Sequence, residues 1–264
     1  MILGHDGSQG ASEGAGGEGA TVGLSAQHEA PGSHGDARID QADASTWLSR
    51  ILSGSVDLIV TDPPYASLDK HRSVGTTTRL NDWFPTISDD ALVALVPEFF
   101  RVLRADRHCY VFCDWTTALI LESAARDAGF MRWVPIVWDR DRTGMGYHYR
   151  SRYELILFWE KGSRQLASRT ETNIQRFKAP RGGYPTRKPQ ALVELLIRQS
   201  APFGDGRQCE LFGKNRPLVV DPFVGSGTTA AAALACDCDF AGCDVSEAAV
   251  SMARIRVGDQ HVRS

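Results

Sequence analysis

Residues Val56 to Thr61 (VDLIVT) form a nearly continuous apolar run that stops at two consecutive prolines, Pro63 and Pro64. A strand written this way is buried on both faces, as happens where helices cover both sides of a parallel sheet. The rest of the chain supplies the alternation such a sheet needs. Strands are expected at 37–40, 56–61, 108–113, 133–138, 153–159, 217–221 and 239–244. Helical stripes fall between them. Ser88 precedes one as an N-cap, with Leu92, Leu95, Val96, Phe99, Phe100 and Leu103 on its apolar face. Others run from Thr117 to Gly129, from Pro189 through Leu192, Leu195 and Leu196, from Thr228 to Ala235, and from Ser246 to Arg256. Seven strands alternating with helices predict an α/β fold with a doubly wound, mainly parallel sheet.

Residues 1–36 stand outside that pattern. Ten of the first 35 residues are Gly and large apolar side chains are nearly absent, so a disordered tail is expected ahead of a domain spanning 37–264. The chain of 264 residues is 42% hydrophobic, enough for a core. No run approaches the roughly 18 apolar residues of a membrane span. Six cysteines at this length read as free thiols of a reducing compartment rather than a disulfide scaffold. No basic segment leads into an apolar run near the first residues. The expectation is a cytoplasmic protein with no membrane partner.

Asp62-Pro63-Pro64-Tyr65 lies at the C-terminal end of the buried strand, where open α/β sheets put their ligands. Two prolines remove two backbone donors and stiffen the turn, so its carbonyls are expected to point outward without internal partners. The Asp62 carboxylate and a main-chain carbonyl then make a rigid group of acceptors beside the Tyr65 ring. An exocyclic nucleobase amine suits that set. Two acceptors gripping its N–H bonds draw the nitrogen towards tetrahedral geometry and free its lone pair, while the aromatic face stacks on a base that has left the helix. Asp-Pro and Pro-Pro also punctuate ordinary loops, so the tetrapeptide alone leaves a plain turn open.

A second strand ends in Asp221-Pro222-Phe223-Val224-Gly225-Ser226-Gly227-Thr228-Thr229 and passes at once into a helix. Glycines let a ligand approach the main chain, and the helix N-terminus offers N–H groups to a carboxylate or phosphate. Thr228 follows Gly227 where a phosphate loop needs Lys, and the third Gly of a dinucleotide fingerprint is missing. Asp244 ends the next strand about 20 residues on, placed to accept from ribose hydroxyls. An adenosine with an amino-acid tail satisfies both features, and S-adenosylmethionine is the obvious candidate.

With both motifs in place, the chain resembles the amino-methyltransferases of DNA, which methylate N6 of adenine or N4 of cytosine. The DPPY element and the FxGxG element (Phe223, Gly225, Gly227) carry the resemblance, and their order is similar to the permuted β class. It covers about Ala37 to Val257. It implies a seven-stranded S-adenosylmethionine-dependent methyltransferase fold, with the last strand antiparallel, and direct transfer to a flipped base in duplex DNA. Asp62, Pro63, Pro64 and Tyr65 would then be catalytic: Asp62 and the Pro63 carbonyl hold the amine and Tyr65 stacks. Asp221, Pro222, Phe223, Gly225, Ser226, Gly227, Thr228, Thr229 and Asp244 would hold the cofactor. Thr186-Arg187-Lys188-Pro189 resembles a T-x-K-P helix entry, which would set Thr186 and Lys188 near the methionine tail. Ala42-Asp43-Ala44 takes the place of a Gly-Asp element whose Asp lies near the adenine, with Ala for the usual Gly.

The family habit of DPPY favours adenine N6. Cytosine N4 remains the alternative, for which Ser in place of Asp62 is commoner; RNA or protein-amide methylation more typically carries Asn there. A catalytically silent DNA-binding homologue is the alternative from another class, and the intact motifs count against it. A homodimer and a cognate restriction endonuclease are compatible with the resemblance.

The formal net charge is −3, yet residues 138–188 hold 12 Lys and Arg against 5 Asp and Glu. Phosphate contact needs such local cation density. A small DNA-recognition region is therefore expected at about 139–187, with Arg140, Arg142, Arg150, Arg152, Arg164, Arg169, Arg176 and Arg181 as candidate contacts. The loop at 66–88 is a second candidate surface. Cys236, Cys238 and Cys243 lack a fourth ligand at zinc-site spacing and read as core thiols, so no metal is expected.

Overall fold

A computed structural model of the chain describes residues 35–64, 86–144, 148–180, 187–203 and 216–261. Among these, nine strands form one sheet: β1 (Ala37–Gln41), β2 (Val56–Thr61), β3 (Leu103–Cys113), β4 (Met131–Arg132), β5 (Ile136–Asp139), β6 (Tyr153–Lys161), β7 (Ile174–Arg176), β8 (Leu218–Asp221) and β9 (Asp239–Asp244). Their order is β1-β9-β8-β2-β3-β6-β5-β7, with β4 also paired to β6. The helices are α1 (Ala44–Ser49), α2 (Asp89–Val102), α3 (Trp115–Ala128), α4 (Gln190–Ser200), α5 (Thr228–Ala235) and α6 (Glu247–His261). Among the described residues no helix is long and apolar enough to cross a membrane.

The strands from β1 through β3 pair in parallel. β6 runs antiparallel to both β3 and β5. The antiparallel strand is thus β6, in mid-chain, whereas the last strand in the sequence, β9, is parallel to both neighbours. Alternate side chains of the central strands enter different cores. Ile59, Cys109 and Val111 pack with α1, α2 and α3, while Leu58, Val60, Tyr110 and Phe112 pack with α4, α5 and α6. This two-sided burial is what VDLIVT requires. Cys236 and Cys238 are buried in the second core and Cys243 in the first.

Several boundaries differ from the sequence expectation. Leu103 opens β3 rather than closing α2, because the strand continues through Arg104 and Arg107, both buried on Asp57. Pro135 has no N–H to donate, and the strand expected at 133–138 starts only after it, as β5, while β4 lies ahead of the expected range. Gly35 and Asp36 belong to the fold, not to the tail. The Asp36 N–H donates to the Asp239 carboxylate at 2.9 Å and its carbonyl accepts from Phe240. Helix α1 is an addition, capped by the Asp43 carboxylate accepting from Thr46 N–H. The strand order turns outward in both directions from β8 and β2, and such a switch point leaves a crevice beyond the strand ends.

Candidate active site

β2 and β8 are paired through Leu58↔Val219 and Ile59↔Val220, so their ends release the two motif turns side by side. The turns are also stitched together. The Thr61 hydroxyl donates to Asp221 Oδ1 at 2.7 Å, and Phe223 N–H donates to the same oxygen at 3.0 Å. Asp221 is fully enclosed, and burial pushes its pKa up to about 7 against the pull of these donors and of Thr229. Its carboxylate is therefore a brace between turns.

Between the turns lies a cavity of about 680 Å³. On one side Asp62 enters it, a quarter exposed. Lys188 Nζ stands 2.6 Å from Asp62 Oδ2 and 3.2 Å from Glu154 Oε2. Among the described residues Oδ1 of Asp62 has no protein partner. The pKa of Asp62 is raised to about 6: burial pushes it up most, Lys188 draws it down and Glu154 adds to the rise. Lys188, the residue expected beside the methionine tail, sets its ammonium against the two carboxylates on the Asp62 side. The proline turn differs from expectation. The Pro64 carbonyl accepts from Ile87 N–H at 2.9 Å, so it is internally paired, and Pro63 lines the cavity.

The opposite wall is built on β8, β9 and α5. Asp244 Oδ2 accepts from Gly225 N–H and Oδ1 from Ser246 N–H, each at 2.9 Å. These bonds fix the glycine turn and still leave lone pairs for a further donor. Pro222, Phe223, Ser226 and Asp43 complete this side. Thr228 also lines it, but its hydroxyl accepts from Arg256 Nη1 at 2.9 Å. Gly227 has φ 78°, and a Cβ there would come within 2.8 Å of the Ala253 backbone on α6. Gly227 is the N-cap residue of α5 and has no capping side chain, so the first N–H groups of the helix are not taken by one. Tyr65 and Thr186 lie outside the described residues.

The eight arginines are not brought together. A hairpin from β5 to β6, closed by Arg140 N–H to Arg152 O and Gly144 N–H to Ser151 O, stands at the cavity edge of the sheet. It carries Arg140, Arg142, Arg150 and Arg152, with Arg176 beside it on β7. Arg152 and Arg176 share the Asp139 carboxylate and, with the Asp141 N–H, hold it well below the usual carboxylate range. Arg164 follows β6 at the other end of the strands, where its carbonyl meets His108; Arg169 bonds to Gln165 nearby. Arg181 lies outside the described residues. Sequence reasoning missed Thr61, Asp114 and Glu154. Glu154 had a signal: an acid two residues into the apolar run YELILFW, at the end of β6 that reaches the cavity.

A family model described as DNA methylase, of the N6/N4 methyltransferases, matches residues 56–254. The chain belongs to the N6/N4 DNA methylase family. Curated relatives include the DNA adenine methyltransferase YhdJ of Escherichia coli (strain K12), 26% identical over 255 residues, covering 81% of this chain and 80% of the relative. Type II methyltransferase M.HpaI of Haemophilus parainfluenzae is 23% identical, covering 85% of this chain and 75% of its own length. Among solved structures, M1.HpyAVI in complex with SAM matches at a TM-score of 0.61 with 21% identity, covering 84% of this chain and 98% of that one. The cytosine-N4-specific PvuII DNA methyltransferase matches at 0.62 with 14% identity, covering 84% and 86%. Both likenesses support the doubly wound methylase fold built above.

Proposed function

We propose that this family member transfers a methyl group from S-adenosylmethionine to N6 of adenine in duplex DNA. The observation that carries the reading is the Asp62 carboxylate, anchored through Oδ2 and with Oδ1 left for a donor, across one cavity from the Asp244 and glycine-turn wall. The residues present fit the cofactor. Asp244 suits a ribose diol, the uncapped start of α5 suits a carboxylate, and six carboxylates against three cations in the cavity wall suit a sulfonium. When bound, the cofactor supplies the electrophilic methyl group. The chain then has to orient the amine. Asp62 Oδ1 accepts one N–H, the Pro63 carbonyl takes the other, and Tyr65 stacks on the extruded base. The hairpin arginines contact phosphates beside this opening.

YhdJ, named as an adenine methyltransferase, supports the base assignment, as does the DPPY turn. Adenine and cytosine both offer an amine with two hydrogens, so N4 methylation is the alternative. Methylated duplex is digested to nucleosides and analysed by mass spectrometry, with N6-methyladenine expected. N4-methylcytosine as the sole product rejects the base assignment; no methylated nucleoside rejects the activity. Asp62→Ala is expected to abolish transfer while calorimetry still registers S-adenosylmethionine. Loss of cofactor affinity in that variant would contradict the division of the cavity.

A further inference from the structure

Lys188 is a lysine with almost no access to water, 6% exposed, and its ammonium lies between two carboxylates from distant parts of the chain. A buried ammonium without partners costs several kcal/mol, so its place is fixed by Asp62 and Glu154. Its backbone is also fixed, since Pro189 follows as the N-cap residue of α4. Glu154 sits on β6 opposite Trp138, and its other oxygen is 3.4 Å from Arg140 Nη1. Charges therefore alternate from the hairpin inward: Arg140, Glu154, Lys188, Asp62.

We infer that Lys188 and Glu154 are positioning residues that set the aim and the ionisation of Asp62: Lys188 clamps Oδ2 so that Oδ1 meets the target amine, and Glu154 holds Lys188 in that position. The inference rests on the proposed role of Asp62. An ionised carboxylate offers acceptors on both oxygens, whereas a protonated carboxyl turns one of them into a donor facing an amine that is itself a donor. Burial alone opposes ionisation of Asp62, and the adjacent ammonium counters it. Asp221, Asp114, Arg140 and Arg187 line the same cavity. The neighbouring Cys113 thiol is pushed up by burial and stays neutral. Lys188 contacts Asp62 directly and Glu154 acts on it through its charge from the far side of Lys188, so their removal shifts Asp62 in opposite directions.

The test is the single-turnover rate of methyl transfer to duplex DNA against pH, using the full chain. The wild type is expected to lose rate below about pH 6, as Asp62 takes a proton. Lys188→Met should lower the rate and move the acid limb upward, by about 1–3 pH units for the loss of a close opposite charge. Lys188→Arg should restore part of both. Glu154→Gln keeps the shape of the side chain and should move the limb downward, which covers the case in which Lys188→Met fails to fold. Acid limbs that coincide in wild type and Glu154→Gln overturn the inference. So does a loss of S-adenosylmethionine affinity in Lys188→Arg matching its loss of rate, which would return Lys188 to the methionine tail. Failure of the underlying reading looks different: Asp62→Ala, which removes the acceptor altogether, would keep the wild-type rate.

Discussion

Asp221 is a carboxylate enclosed by donors that do not neutralise it. Its folded-state pKa of about 7 lies above the ordinary 3.8, so between these values the folded chain holds a proton that the unfolded chain has released. The stability from this group is present below about pH 4 and is lost as pH rises through about 7. Asp221→Asn keeps an acceptor for Thr61 and Phe223 without the charge. Its melting temperature should gain on the wild type as pH rises from about 5 to 8, as followed by circular dichroism. Parallel profiles for the two proteins would contradict the raised pKa. At this scale the sequence was readable where chemistry is written in consecutive residues, as in Asp62 to Pro64. It was unreadable where a role depends on a partner far away. Thr61 and Asp221 are 160 residues apart, and Lys188 and Asp62 are 126 apart. No local spacing shows that Lys188 turns to the Asp62 carboxylate.

Elements follow the same division. The runs that became β2 and α5 were legible because they are short, dense in apolar or small residues and almost wholly buried. The first half of β3 was hidden, since Arg104 and Arg107 look solvated until Asp57 is seen between them. β7 was hidden because its three residues, Ile174 to Arg176, carry no apolar alternation. The join between β8 and α5 depends on Gly227 for two reasons at once: a left-handed backbone and contact with the Ala253 backbone. Gly227→Ala should therefore cost more than the roughly 1–2 kcal/mol of the backbone conformation alone. Urea titration should show this as a lower midpoint at unchanged slope, together with weakened cofactor binding. A cost below about 1 kcal/mol would mean that α5 and α6 separate easily.

For the whole molecule, the placement of charge is the main revision to the sequence reading. The basic segment is contiguous in sequence, but the sheet sends Arg164 and Arg169 to one end and the hairpin arginines to the other. Arg142 and Arg150 are exposed on the cavity side, and Arg152 and Arg176 already share Asp139. Replacing Arg142 and Arg150 with Ala should reduce the log–log salt slope of DNA binding by about 1.8, at about 0.9 per phosphate contact. Replacing Arg164 and Arg169 should leave it unchanged. A slope that falls only for the second pair would move the DNA to the opposite edge.

The pairing of β1 with β9 has a consequence for biosynthesis. Asp36, at the start of the folded body, is bonded to Asp239, 203 residues later. While the chain is being translated, its first strand waits for a neighbour that is almost the last to appear. Contacts this distant close late and slowly. A nascent chain that has reached α4 already contains Asp62, Glu154 and Lys188, yet neither β8 nor β9 exists to form the wall opposite them. An interrupted translation product would therefore carry one wall of the cavity without the other, so on the function proposed above aborted synthesis would leave the genome unmarked.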